Sequence, residues 1–192
     1  MPDRNQDALD FLLTRRSRPS KTLTTPVPTR DQLTEILTAA ARSPDHGKLE
    51  PWRFIVLERA ALQRLASAVP AAAAQAGIAE DKMMKQRDQF AHANLAVVVV
   101  ESPKHSDKVP TIEQTYAVGG VCLALVNAGL AAGWGANWLS GWASHDAEFV
   151  QSHLGLNHDE RVAGIIHLGT ETSAPPDRPR PDLDQITTWV AA

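Results

Sequence analysis

Three short stretches concentrate residues that hold ligands rather than build elements. Arg15, Arg16 and Ser17, with Arg18 beside them, set planar guanidinium forks next to a hydroxyl. That combination matches the oxygens of a single phosphate. In "RSPDHGK", Arg42, Asp45, His46 and Lys48 crowd one loop whose backbone is set by Pro44 and Gly47. All four could face one planar, polar ligand. "WGANWLSGW", Trp134 to Trp142, holds three of the five tryptophans, interleaved with Gly, Asn and Ser. Such a mixture can stack on a flat ring while glycine lets the backbone come close. Each stretch also has a plainer reading. The arginines suit a helix C-terminus, where they oppose the macrodipole; the loop is a hydrophilic turn; the tryptophans are strand packing.

None of the three contains a paired general acid and base or an evident nucleophile. Cys122 sits in an apolar run with no charged neighbour to lower its pKa, and reads as buried filler. The seven histidines have no tight metal spacing, and His167 lies inside an apolar strand. Gly133 and Gly135 begin a Gly-x-Gly, but Trp138 stands where a third glycine would complete a dinucleotide fingerprint. A Walker loop and a Gly-x-Ser-x-Gly elbow are absent too. Phosphate contacts and ring contacts without protein chemistry fit a cofactor that carries the reaction itself. Flavin mononucleotide has the matching parts: one phosphate, a polyol and a flat tricyclic ring.

The elements that position these residues follow from apolar spacing. A helix is predicted from near Asp7 to Thr14, delivering Arg15 to Ser17 at its end. A second starts at Thr29 as N-cap with Gln32 three residues on, carries Leu33, Ile36, Leu37 and Ala40, and stops at Pro44. "WRFIVLE" is a strand, Ala60 to Val69 a helix interrupted by Pro70, and "EDKMMKQRDQF" helical. "NLAVVVVE" is a continuous β-branched run, as in a strand covered on both faces. A long apolar helix runs from about Thr111 to Ala132, followed by a short strand at Gly135 to Gly141. A small helix near Asp146 to Leu154 and a core strand in "RVAGIIHLGT" complete the pattern. Helices thus intersperse with about four strands, without strict βαβ alternation.

At 192 residues the chain fits one domain with a substantial core, and a net charge of -3 argues against a nucleic-acid partner. One cysteine allows no internal disulfide, and the N-terminus lacks a signal peptide's pattern, so a cytoplasmic location is predicted. From Thr115 to Ser144 there is no Asp, Glu, Lys or Arg. That length can span a bilayer, but the interspersed glycines, a central Asn127 and the absence of flanking basic runs favour a buried helix. The tail is proline-rich and then apolar at Leu183, Ile186, Trp189 and Val190. It reads as an extended arm that docks on a partner subunit.

The ordered set "RRS", "RSPDHGKLEPWRFIVLE", "GLAAGWGANWLSG" and "RPRPDLDQI", spread over nearly the whole chain, resembles the nitroreductase family, in particular its short single-domain branch. The resemblance implies an α+β fold, with a central mixed, largely antiparallel sheet flanked by helices in an intertwined homodimer. Residues 1–192 would form one FMN-binding domain, of which 173–192 are a C-terminal arm packing on the partner subunit. It implies FMN as cofactor, held by Arg15, Arg16, Ser17, Arg42, His46, Trp138, Leu139, Ser140 and Arg180. NADH or NADPH would be the electron donor, contacting Ala128, Gly129, Leu130, Ala131, Ala132 and Gly133. The implied activity is ping-pong hydride transfer to an electron-poor small-molecule acceptor, a nitroaromatic or quinone, with no side chain as catalyst, no metal and no membrane partner. Alternatives are reduced-flavin and oxygen-dependent fragmentation or dehalogenation on the same fold, or a non-catalytic flavin-binding module. The chain departs from the commoner family pattern at His46, where many relatives carry Asn, and at Glu50, where many carry Gln.

Overall fold

The computed structural model describes residues 3–191. Its elements, in chain order, are α1 (Gln6–Thr14), β1 (Leu23–Thr24), α2 (Arg30–Ala40), β2 (Trp52–Glu58), α3 (Arg59–Gln75), α4 (Glu80–Ala91) and β3 (Leu95–Glu101). Then follow α5 (Thr111–Ala131), β4 (Gly135–Leu139), α6 (Trp142–His145), α7 (Ala147–Leu154), β5 (Arg161–Glu171) and α8 (Leu183–Ile186). The predicted capping box is present: Thr29 Oγ1 accepts from Gln32 N, and Gln32 Oε1 accepts from Thr29 N. An orphan N–H at each end of that turn is thereby satisfied.

β5 is the spine of the sheet. β3 pairs along one edge of it and carries β2 outside; β4 and then β1 share the other edge. Each of these pairings is antiparallel. A mixed, largely antiparallel sheet was expected, and no parallel pair occurs among the described residues. β3 is buried along its whole length because helices cover both faces. Its side chains alternate between two cores. Ala96, Val98 and Val100 face α3, α4, α6 and α7 through Leu65, Phe90 and Phe149. Leu95, Val97 and Val99 face α2 and α5 through Ile36, Val121 and Leu125.

Two element boundaries differ from the sequence reading. Pro70 does not interrupt α3, which runs through it to Gln75. Proline removes one backbone bond, but its side chain is exposed, and Leu62, Leu65, Ala66, Val69 and Ala73 bury one stripe on both sides of it. β4 stops at Leu139 rather than Gly141, because α6 begins at Trp142; that single turn and the two-residue β1 were not anticipated.

α5 is long and apolar enough to cross a membrane by length and composition. In the fold its Val118, Val121, Cys122, Leu125, Val126 and Gly129 are buried against α2 and the sheet. The opposite side stays open: Ile112, Tyr116 and Leu123 are exposed. The tail's Leu183, Ile186, Trp189 and Val190 are exposed as well, covered by nothing in their own chain. Cys122 is fully buried, and burial pushes its thiol up to about 12, as filler rather than nucleophile requires.

Candidate functional site

The arginine cluster is built by a helix end, a strand and the tail together. α1 is capped by Asn5, whose Oδ1 accepts from Ala8 N, and it ends as the chain turns extended at Arg15. Arg18 then closes on β4: its N donates to Ala136 O at 2.9 Å, and its O accepts from Asn137 Nδ2 at 2.5 Å. Its guanidinium is fixed by Glu171, with Nε 2.6 Å from Oε2. The segment between these anchors has little freedom. Arg15 Nη2 donates to Ser17 Oγ at 2.8 Å, and Arg16 Nε donates to Pro176 O, which ties the proline-rich tail to the cluster.

Arg180 lies close enough to Arg15 that their charges interact. Burial first, then the like charges of Arg180, Arg16 and Arg18, push the Arg15 pKa below the ordinary arginine value. Arg15 Nε is buried without a partner. Arg18 is paired with Glu171 and Arg180 with Asp177 at 3.0 Å. Among the described residues Arg15 and Arg16 are thus the cations of the cluster without a carboxylate, and Arg15 Nε is its orphaned donor. A cleft of about 340 Å³ opens on it, lined by Phe11, Arg15, Arg16, Leu130, Gly133 and Trp134 among others.

The stretch Ala128 to Gly133 is split by its helical geometry. Leu130 and Gly133 line this cleft; Ala131 and Ala132 are exposed; Ala128 packs against the α2–α5 core. Gly129 is buried against the sheet, where an added Cβ would come within 2.7 Å of Leu168 Cδ2. It makes a close helix–strand approach and is not among the residues lining this cleft.

The loop after α2 is organised by its own aspartate. Asp45 Oδ2 accepts from Leu49 N and Glu50 N, so this oxygen staples the turn, while the residue still lines the cleft beside His46. Gly47, Lys48 and Glu50 all have positive φ, a conformation the staple helps to hold. Arg42 is exposed on the turn and lines neither cleft described here. His46 Nδ1 lies 2.7 Å from Glu113 Oε2 at the start of α5. These two, with Ser43, Pro44, Tyr116 and Gly120, line an open cleft of about 440 Å³.

The β4 candidates separate in a similar way. Trp138 is 40% exposed and its indole lies over Gly164 of β5. Leu139 is half-buried, and Ser140 Oγ is 2.9 Å from His145 Nε2. His145 and Asn137 were missed from the sequence. Asn137 belonged to the quoted tryptophan stretch, but its role depends on a contact across more than a hundred residues.

The arginine cluster meets the C-terminal part of α5, at Leu130, while His46 meets its first turns, at Glu113. At about 1.5 Å of rise per residue, those points are about 25 Å apart. A single mononucleotide does not bridge that gap within one chain.

Comparison with known proteins agrees with this architecture. The family model described as "Nitroreductase family" matches residues 12–170. The chain is 34% identical over 164 residues to the "Putative NAD(P)H nitroreductase YdjA" of Escherichia coli K12, covering 85% of this chain and 88% of that one. Among solved structures, the nitroreductase-like family protein of Bacillus cereus has a TM-score of 0.78 at 22% identity, covering 99% of this chain and 98% of the other. A nitroreductase from Desulfovibrio desulfuricans, solved in complex with FMN, has a TM-score of 0.74 at 18% identity, over 98% and 99% of the two chains. With its five-stranded sheet, its arginine cluster at the foot of α1 and a family match across most of its length, this chain belongs to the nitroreductase family.

Proposed function

We propose that the chain is an FMN-dependent NAD(P)H oxidoreductase acting on electron-poor small molecules, of the nitroaromatic or quinone kind, as a cytoplasmic homodimer. The observation that carries this reading is the half-buried Arg15 side chain, whose Nε is enclosed and unpaired close to Arg16, Arg18 and Arg180. A dianionic phosphate relieves both the repulsion and the orphaned donor. The residues fit the cofactor on that ground.

Arg15, Arg16 and Arg180 would hold the phosphate, with Ser17 Oγ beside Arg15 Nη2 as a further partner. Trp138, Leu139 and Ser140 would border the ring, and the His145 contact orients the Ser140 hydroxyl. When bound, FMN supplies the redox chemistry, taking two electrons from NADH or NADPH and passing them to the acceptor in a ping-pong cycle. The chain's part is to bind, orient and neutralise charge. Leu130 and Gly133 would offer the nicotinamide nucleotide an apolar wall, and no side chain is assigned a proton.

The homodimer follows from the separation along α5. Two copies related by a two-fold axis, with α5 against α5, bring the His46 loop of one copy toward the arginine cluster of the other. The exposed stripe Ile112, Tyr116 and Leu123, with Gly119 and Gly120 between, supports that contact. Residues 173–192 would then pack as an arm on the partner subunit, covering Trp189 and Val190, which are 89% and 88% exposed in the single chain.

The test is spectroscopic. The purified protein is expected to be yellow, to bleach with NADH or NADPH under nitrogen, and to recover colour with a nitroaromatic or quinone. Arg15→Ala is expected to give a folded, largely colourless protein. A flavin that stays oxidised with both nicotinamides would overturn the enzyme reading, and unchanged flavin occupancy in Arg15→Ala would overturn the phosphate site.

A further inference from the structure

We infer a second small-molecule site, for a compact organic carboxylate, in the cleft between α6, α7, the first turns of α5 and the start of β5. It goes beyond the flavin reading and is argued from its own lining, although His145, which lines this cleft, also holds Ser140. The cleft has a volume of about 430 Å³, and its wall includes Thr115, Ser144, Val150, Gln151, His158 and Arg161.

Ser144 is the first reason to read the cleft as a site. The residue is 3% exposed and lines the cleft, yet its Oγ has no hydrogen-bond partner. Its backbone N is used by Gly141 O at 3.0 Å, so the turn of α6 is complete without the side chain. A buried hydroxyl left unpaired in an otherwise satisfied turn is explained by a ligand oxygen.

Charge selects the ligand. Two carboxylates also border the cleft, and both are neutralised. Glu160 receives Arg53 Nε and Nη2, each at 2.7 Å, and Asn157 N at 2.9 Å. Glu101 Oε1 receives Thr115 Oγ1 at 2.6 Å and Arg161 Nη2 at 2.9 Å. Each is paired with an arginine, and no group of three His, Cys, Asp or Glu able to bind a metal occurs among the described residues. Arg161 spends only Nη2 on this network, and its side chain is 63% exposed. Its Nε and Nη1 have no partner among the described residues, and with His158 and Gln151 in the same lining they give the cleft open donors. Donors of this kind select a carboxylate.

Shape makes the carboxylate organic. Ala147, Val150 and Val162 form an apolar wall next to the donors, which a bare inorganic anion would leave wet. A molecule with a carboxylate at one end and a small apolar body satisfies both parts.

The probe is cyclohexanecarboxylate, a saturated acid whose binding cannot come from stacking on a flavin ring. It would be titrated calorimetrically into the purified protein, against cyclohexanecarboxamide and inorganic sulfate as controls, before and after saturation with FMN. The acid is expected to bind saturably, at least tenfold more tightly than the amide or sulfate, with an affinity that FMN leaves unchanged. Ser144→Ala should weaken it several-fold without lowering the melting temperature, since the hydroxyl bonds to nothing in the fold. Arg161→Lys, which keeps the charge beside Glu101 but loses the fork, should weaken it at least tenfold. Absence of saturable binding, equal affinity for acid and amide, or indifference to both substitutions would overturn the site. Displacement by FMN would overturn it too, by making the cleft part of the flavin's own site. FMN binding is read from its own absorbance, so failure of the flavin reading is seen separately.

Discussion

Asn137 Nδ2 donates to the carbonyl oxygen of Arg18 at 2.5 Å, joining β4 to the chain 119 residues earlier, at the last of the three arginines that follow α1. With the Arg18 N to Ala136 O bond, it fixes both backbone polar groups of one residue on the strand. Arg15 and Arg16 are thus held in place from below by a residue that touches no proposed ligand. Asn137→Ala removes the donor while the β4–β5 pairing remains. A net hydrogen bond of about 1 kcal/mol corresponds to roughly a five- to tenfold loss in FMN affinity. Flavin fluorescence titration would read it, and Asn137→Asp, which cannot donate when ionised, should behave the same way. If either variant held FMN as tightly as the parent, the staple would have no bearing on the site.

Gly129 separates packing from nucleotide binding. Its position leaves no space for a Cβ beside Leu168, which is 1% exposed and has nowhere to move. Gly129→Ala should therefore cost about 1–3 kcal/mol as an overpacked core, seen as a lower melting temperature. The KM for NADH or NADPH should not change in the protein that remains folded. A raised KM at unchanged stability would return Gly129 to the nucleotide site.

The elements were legible because their signals are local. The Thr29 and Gln32 box, the β-branched run of β3 and the apolar length of α5 each carry their own evidence in adjacent residues. The arginine cluster was legible for the same reason, as three neighbours at a helix end. Its fourth member, Arg180, was supplied by family resemblance, since nothing near it in the chain marks the approach to Arg15. The stapling role of Asp45 was not legible, because a stapling carboxylate and a binding carboxylate look alike until the amides of Leu49 and Glu50 are placed. The apolar strand around His167 marks it as a core residue and says nothing of its hydrogen bonds. It is buried, but its Nε2 has no partner, a fact that only the packing of its neighbours decides.

Leu123 is 48% exposed on the open side of α5, in line with Ile112 and Tyr116. A charge there would cost the single chain little, because the position faces away from the α2–α5 core. In the proposed homodimer it would be buried and unpaired. Leu123→Glu should give a folded monomer by light scattering, and that monomer should have lost its flavin, because the cluster and the His46 loop no longer meet. A dimer of unchanged stability would place the interface elsewhere.

Two groups set the acid response, and both act in the same direction. Burial holds His167 at about 4, against about 6.5 in an unfolded chain. Above pH 6.5 the ring is neutral in both states. As pH falls from 6.5 to 4 only the unfolded chain takes up the proton, so stability is lost across that window, on the order of 3 kcal/mol in all. Glu160 is held at about 2, chiefly by its hydrogen bonds from Arg53. Its contribution is complete above the ordinary carboxylate range and is lost as pH falls toward 2. Urea midpoints measured from pH 8 to pH 2 should decline in two stages. His167→Gln should flatten the first stage and Glu160→Gln the second. A first stage that survives in His167→Gln would show that another group, not His167, causes the loss.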